Sequence, residues 1–311
     1  MKVLFLTNMY PHKRHPYFGI FVKEQFEYLH DHYDMDMDLF VLNGQSSLHK
    51  YLNPLVLYQK IKDFEPDIIH VHYGLTGLPL LLIAPFIKNK KIIATYHGSD
   101  VNGSKAVFFI SKMLNKYADY NIAVSQQIFE KINQLSEKCV WIPCGIDDIF
   151  LDDQEPVERK NAVIFPGSPR RAVKNYPLFE EMMDVLKKKY GLTPEVILFD
   201  SKSRAEVKKS LKEAKCLVMT SLSEGSPQVI KEAIACDTPI VSTPVGDVPH
   251  LIENLDNCYI AQNAEDLAEK VACVFASEYH AFPEERKKRL SNVYVCDQIV
   301  GLYKELSDKD K

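Results

Sequence analysis

Two carboxylates, Glu224 and Glu232, frame the stretch of this chain best suited to chemistry: Thr220-Ser-Leu-Ser-Glu-Gly-Ser-Pro-Gln-Val-Ile-Lys-Glu-Ala233. The apolar run before it, residues 216–219, reads as a strand, and residues 227–235 read as a helix. Ser226 suits the N-cap and Pro227 the first helical position. The backbone N–H groups of Ser226, Gln228 and Val229 then point out of the helix start, where an anion such as a phosphate is favoured. Gly225 removes a side chain just where a ligand would approach. Glu232 lies about 8 Å along the helix axis from Pro227. The two acids therefore reach different parts of one extended ligand, and carboxylates accept charge-assisted hydrogen bonds from sugar hydroxyls. The plainer reading is a capped helix carrying two exposed acids.

Three other loops hold candidates. Phe165-Pro-Gly-Ser-Pro-Arg-Arg-Ala-Val-Lys-Asn175 follows a strand at 162–165. A glycine turn with cations behind it can clamp a phosphate, arginine as a fork and lysine as a mobile point charge. The cations of this loop are Arg170, Arg171 and Lys174. A solvated surface loop is the competing reading. In Ala94-Thr-Tyr-His-Gly-Ser-Asp100, His97 ends a strand at 92–96. It either donates to sugar hydroxyls and steers a proton or is structural; Asp100 would hold the loop. The first loop, residues 7–23, has Gly19 at the opening of a helix. It lacks the G-x-G-x-x-G pattern, so nicotinamide binding is not supported. Within it His12, Lys13, Arg14 and His15 form a basic cluster that meets an acceptor phosphate or is a solvated tip. Asp34-Met-Asp-Met-Asp38 imitates a DxD metal motif, but in an alternating segment its acids fall on one solvated strand face.

The segment Ser221-Leu-Ser-Glu-Gly-Ser-Pro-Gln-Val-Ile-Lys-Glu-Ala-Ile-Ala-Cys-Asp-Thr-Pro-Ile-Val-Ser-Thr-Pro-Val-Gly-Asp-Val-Pro249 resembles the E-x7-E region of the retaining GT-B glycosyltransferases of family 4. Asp237 stands where glycine is usual. His-Gly-Ser-Asp at 97–100, Ala-Val-Ser at 123–125 and Ile-Pro-Cys-Gly-Ile-Asp at 142–147 resemble that family's first-domain and hinge motifs. The likeness covers roughly residues 1–260. It implies a nucleotide diphosphate-sugar donor in a cleft between two domains. Its diphosphate would sit on the 226–229 helix start, clamped by Lys174 and by Arg171, with Arg170 the alternative to Arg171. Glu232 would hold the ribose and Glu224 the sugar, with His97 and the Gly19 loop facing them. The resemblance further implies a saccharide or lipid-linked acceptor, retention of configuration, a role in cell-surface polysaccharide synthesis, and neither a metal nor a cofactor.

Stepping outward from these loops, strands alternate with helices along the whole chain, which implies parallel βαβ units. Strands are expected at 3–6, 35–42, 68–72, 92–96, 120–124 and 140–142, then at 162–165, 196–199, 216–219 and 239–242. The fold class is α/β, GT-B, two doubly wound Rossmann-like domains facing a central cleft. The expected division is 1–150 on the acceptor side, 151–290 for the nucleotide sugar, and a last helix at 291–311 that crosses back to the first domain. A polar stretch at 151–160 reads as the linker.

The chain has 311 residues and a formal net charge of −4, without the basic excess of a nucleic-acid-binding protein. Seven cysteines, none in C-x-x-C spacing, argue against a disulfide framework or a zinc site. Together with the absence of a signal-like leader they point to a cytoplasmic setting. The apolar run 78–87 holds Pro79 and Pro85 and is too short to span a bilayer. Followed by Lys88-Asn-Lys-Lys91, it is either a peripheral contact with the inner membrane face or a buried helix followed by a surface turn. The rival functions are a nucleotide-sugar epimerase of the same architecture and a non-catalytic nucleotide-sugar-binding subunit.

Overall fold

The computed structural model describes residues 1–13, 15, 18–42, 51, 53–136, 138–152, 157–200 and 202–308. Contacts divide the chain into two units, Met1–Gly145 with Asn292–Lys311, and Ile146–Ser291.

In the first unit the order is β1 (Lys2–Thr7), α1 (Ile20–His32), β2 (Asp36–Val41), α2 (Pro54–Phe64), β3 (Ile68–His72), α3 (Leu78–Ile83), β4 (Lys91–Tyr96), α4 (Ser99–Asn102), α5 (Lys105–Tyr117), β5 (Tyr120–Ala123), α6 (Gln126–Asn133) and β6 (Cys139–Trp141). The sheet runs β2-β1-β3-β4-β5-β6 with every pair parallel. Parallel sheets are covered on both faces, which is why β1, β3 and β4 are nearly continuous apolar runs. One face packs Leu4, Leu6, Ile69 and Val71 under α2, α3, α5 and α6. The other packs Val3, Phe5, Ile68 and Ile93 under α1 and the last helix of the chain. Ser104 and Ser125 start α5 and α6 by accepting from Val107 N and Ile128 N.

The second unit holds β7 (Lys160–Phe165), α7 (Tyr176–Tyr190), β8 (Glu195–Leu198), α8 (Arg204–Glu213), β9 (Ala214–Met219), α9 (Gln228–Ala235), β10 (Ile240–Ser242), α10 (Val248–Leu251), β11 (Tyr259–Ile260), α11 (Ala264–Ala276) and α12 (Glu284–Lys288). Its sheet, again all parallel, runs β11-β10-β9-β7-β8. The order reverses between β7 and β9, and a ligand in such a sheet binds beyond the carboxyl ends of strands at that point. The loops carrying Lys174 and Glu224 are the two that leave β7 and β9.

α13 (Asn292–Asp308) returns to the first unit, burying Val295, Cys296, Ile299, Val300, Tyr303 and Leu306 against its sheet. The two points where the chain crosses between units lie side by side: Ile146 bridges Ser291 in parallel, and Gly145 packs against Asn292. The stretch expected as a linker is not all loose connection. Arg159 donates to four carbonyls, those of Leu211, Ala214, Cys236 and Asp237, and so ties the start of β7 into the second unit. Residues 153–156 of that stretch lie outside those described. At Asp237, where glycine is usual, φ is 56°. Aspartate tolerates this left-handed conformation. Its carboxylate accepts from Phe282 N and Lys287 Nζ, anchoring α12.

Of the apolar run 78–87, Pro79, Leu80, Ile83 and Ile87 are buried while Leu82 and Phe86 are exposed. Of the acids of the DxD-like segment, Asp36 and Asp38 lie along β2, where Asp38 pairs with Lys60, and Asp34 falls in the bend before it. Among the described residues no group of three or more His, Cys, Asp or Glu side chains is placed to hold a metal.

Candidate functional site

At the switch point of the second unit, three loops are laced together. Buried Lys174 donates to Glu224 Oε1 at 2.7 Å, and Ser221 Oγ donates to the same oxygen at 2.8 Å. Thr220 Oγ1 donates to the carbonyls of Lys174 and Asn175, and Leu222 N donates to Val173 O. The loop after β10 joins them: Thr243 Oγ1 donates to Ser221 O at 2.8 Å, and Asp247 N to Gly225 O at 3.1 Å. Gly167 lies against the Lys174 side chain, where an added Cβ would sit 3.2 Å from its Cγ. Lys174 and Glu224, fifty positions apart, therefore form one cation–carboxylate pair at the carboxyl edge of the sheet. Arg170 and Arg171 both point to solvent on the same loop, and neither reaches this pair.

The helix start differs from the expected one. α9 begins at Gln228, Pro227 occupies the N-cap, and no side chain caps the first turn. Ser226 is not the cap; its buried Oγ lies against the Asp247 carboxyl. A proline N-cap cannot offer a side-chain oxygen to the first-turn amides. Beside it, buried Asp247 has its carboxyl pushed up by burial, against the pull of nearby Lys231.

Glu232, buried one and a half turns into α9, accepts from Arg204 Nη1 at 2.6 Å. The Arg204 guanidinium stacks 4.6 Å over the Phe150 ring. Arg204 opens α8 just after Ser203, whose capping box with Glu206 fixes that helix start. The sequence reading passed over Arg204, Ser221 and Asp247. The Ser-Arg-Ala-Glu capping box was the one local signal that set Arg204 at a helix start on the carboxyl side of a strand.

In the first unit, Gly19 is the N-cap of α1 with φ 67°. An added Cβ would come within 2.4 Å of the Met9 carbonyl carbon and oxygen. The close approach that demands glycine here is therefore to the chain's own backbone. His12 and His15 bridge one another across the loop tip; Arg14, the fourth member of the basic cluster, lies outside the described residues.

His97 sits on a chain of aromatic and polar contacts. Its Nε2 is 3.2 Å from His72 Nδ1, its Nδ1 is 3.8 Å from Cys144 Sγ, and Phe21 packs on its ring. Both ring nitrogens thus face protein partners, and a bond to a sugar hydroxyl requires one of these contacts to be exchanged. Fully buried His70 lies beneath, held by Tyr303 Oη at 2.6 Å and Thr95 Oγ1 at 2.7 Å. Burial, with His97 nearby, lowers the His70 pKa to about 3, and burial beside His70 and His97 depresses that of His72 as well. Asp100 accepts from the backbone N–H groups of Gly74, His97 and Gly98 and so holds the turn that presents His97.

Comparison with known proteins fits this arrangement. Residues 24–149 match the family Glycosyltransferase Family 4, and residues 178–293 match Glycosyl transferases group 1. An uncharacterised glycosyltransferase of Methanocaldococcus jannaschii is 25% identical over 282 residues, covering 78% of this chain and 76% of its own. A putative teichuronic acid biosynthesis glycosyltransferase of Bacillus subtilis is 26% identical over 243 residues, or 68% of this chain; the chain spans 62% of that relative, less than two thirds. Among solved structures, sucrose-phosphate synthase from Thermosynechococcus elongatus superposes with a TM-score of 0.77 at 15% identity over 99% of both chains. Anabaena HepE, solved with UDP and glucose, gives 0.70 at 17% identity over 98% of this chain and 100% of that one. The structural likeness defines the class of the fold, GT-B. The two family matches, over 24–149 and 178–293, make those stretches similar to glycosyltransferase domains.

Proposed function

We propose that the chain transfers a hexosyl group from a nucleotide diphosphate-sugar to a glycan or lipid-linked acceptor, with retention of configuration and without a metal, in cell-surface polysaccharide synthesis. The observation that carries this reading is the Lys174–Glu224 pair at the switch point of the second unit, on the loop that leads into the uncapped start of α9, the helix that carries Glu232. The helix start and Lys174 bind the diphosphate, as a helix N-terminus and a lysine point charge are suited to do. Arg171, at the solvent edge of the same loop, closes on the diphosphate once it is bound. Glu232, steadied by Arg204, accepts from the ribose hydroxyls, and Glu224 accepts from the sugar. The acceptor oxygen attacks on the face from which the leaving group departs. The C1–O bond to the diphosphate breaks, and the acceptor proton passes to the leaving phosphate oxygen. Lys174 and the helix start stabilise the charge that develops there. The carboxylate nearest the reaction, Glu224, already binds Lys174 and Ser221, which fits a binding group better than a nucleophile. The likeness to a teichuronic acid glycosyltransferase supports a polysaccharide acceptor, and HepE with bound UDP supports a uridine donor.

A thermal-shift series with UDP, GDP, ADP and CMP in excess EDTA tests the donor site. One diphosphate at a hundred times its dissociation constant should stabilise the protein by about 2.7 kcal/mol. That gain should disappear in Lys174→Ala and shrink in Glu232→Gln. No shift with any nucleotide, with or without Mg²⁺, would remove the proposal.

A further inference from the structure

The first unit has an unpartnered outer face. Leu55 and Val56 of α2, Leu82 of α3, Phe86 just beyond it, and Phe109 and Met113 of α5 are all exposed. Leu55 is 74% exposed, Phe86 71% and Phe109 62%. These three helices cover the same side of the sheet and touch in sequence, α2 to α3 and α3 to α5. The Phe86 ring meets Tyr58 of α2 edge-on at 6.0 Å. A monomeric protein rarely leaves so many large apolar side chains together without a use for them.

The charges around this face are mostly positive. On α5, Lys105, Phe109, Lys112, Met113 and Lys116 fall on a single stripe at helical spacing, and α5 contains no acid. Lys62 lies on the outer face of α2, 6.0 Å over the Tyr58 ring. One acid, Asp63, shares that α2 face and accepts from Gln59. At the far end of α5, three lysines, Lys88, Lys90 and Lys91, line an open groove of about 440 Å³ together with Tyr117 and one acid, Asp119. This local excess of lysine stands on a chain whose net charge is −4. Apolar side chains ringed by lysines match the headgroup boundary of an anionic bilayer, which takes up both. They match a second copy of the same face poorly, because an isologous contact would bring two lysine-rich faces together.

We infer that the outer face of α2, α3 and α5 docks the protein on an anionic lipid bilayer. Leu82 and Phe86 enter the interface with Leu55, Val56, Phe109 and Met113, and the lysines meet the lipid phosphates. No helix among the described residues is long and apolar enough to cross a membrane, so the contact is peripheral. It does not depend on the donor site, and the two are read separately.

The test is flotation of the full chain with vesicles of phosphatidylcholine and phosphatidylglycerol at low and high salt, and with phosphatidylcholine alone. The protein should float with the anionic vesicles and be released by salt. Lys105→Ala, Lys112→Ala and Lys116→Ala together should weaken binding about 100-fold, about fivefold per lysine from ~1 kcal/mol each. Phe86→Ser with Phe109→Ser should weaken it about tenfold. Both variants should keep the far-ultraviolet circular dichroism and the cooperative melt of the parent, which shows that they fold. Absence of flotation at low salt, equal binding to neutral vesicles, or binding unchanged by either set of substitutions would overturn the inference. So would a dimer in solution that the phenylalanine variant converts to monomer, since a second copy would then cover the face.

Discussion

His70 has both ring nitrogens occupied and no contact with water, between Tyr303 and Thr95. Its folded pKa, about 3, lies well below the ordinary histidine value of about 6.5, so it is neutral in the native state. As pH falls below about 6.5 the unfolded chain takes up a proton that the folded chain refuses until about pH 3. Stability is therefore intact above pH 6.5 and is lost through that window at about 1.4 kcal/mol per pH unit. Buried Asp100 and Asp247, whose carboxyls are held above their usual range, act with the opposite sign, gaining stability as they protonate. A comparison of variants separates the two effects. His70→Gln should be less stable than the parent at pH 7.5, having lost a fitted ring. Its further loss between pH 7.5 and 5.5, read from urea melts, should be smaller than the parent's by about 1.4 kcal/mol. Equal losses in the two proteins would mean that the buried imidazole already carries a proton.

At the scale of elements, the candidate donor site depends on loops after β7, β9 and β10 keeping register with one another. Gly246 and Gly191 both have positive φ, 55° and 67°. A Cβ on Gly191 meets nothing within 4 Å, whereas one on Gly246 would lie 2.2 Å from Gly225 O. Gly191→Ala should cost only the left-handed backbone term, about 1–2 kcal/mol, and leave nucleotide binding as it was. Gly246→Ala bears the same term and also pushes the β10 loop off the residue between Glu224 and the helix start. Its affinity for the nucleotide should fall about tenfold or more, the effect of losing one charge-assisted contact. Titration followed by thermal shift distinguishes the two. The contrast also shows what was legible in the sequence. The parallel α/β order was legible because buried strands are short apolar runs with helical patterns between them. So were the loops of Lys174 and Glu224, each just after a strand, and the helix that carries Glu232. Helix α2 was not, since its Leu-Val-Leu-Tyr start lacks a capping side chain. Arg204 with Glu232, and His97 with His72 and Cys144, are pairings between distant segments. Nothing in local spacing encodes them, because register between loops is set by tertiary packing.

For the whole molecule, the decisive fact is the path of the chain. The second unit is continuous, Ile146–Ser291, and carries buried cores on both faces of its sheet. The first unit is not; it is closed by α13 from the far end of the sequence. Val295, Ile299, Val300, Tyr303 and Leu306 are all buried there. At about 2 kcal/mol for each buried apolar side chain, their loss amounts to about 10 kcal/mol, as much as the whole stability of a typical domain. Residues 1–145 expressed alone should therefore fail to melt cooperatively and should aggregate, even though every strand of that sheet is present. Residues 146–291 alone should fold, and should bind the same nucleotide as the full chain if the donor site lies within that unit. Adding a 292–308 peptide, or fusing it to the 1–145 fragment, should restore a cooperative transition. If residues 1–145 melt cooperatively without it, α13 is a cover on an already stable unit and the Tyr303–His70 bond does not help to close the core. If they do not, the first unit can form only after synthesis of the second is complete, and the paired crossings at 145–146 and 291–292 are the last part of the fold to close.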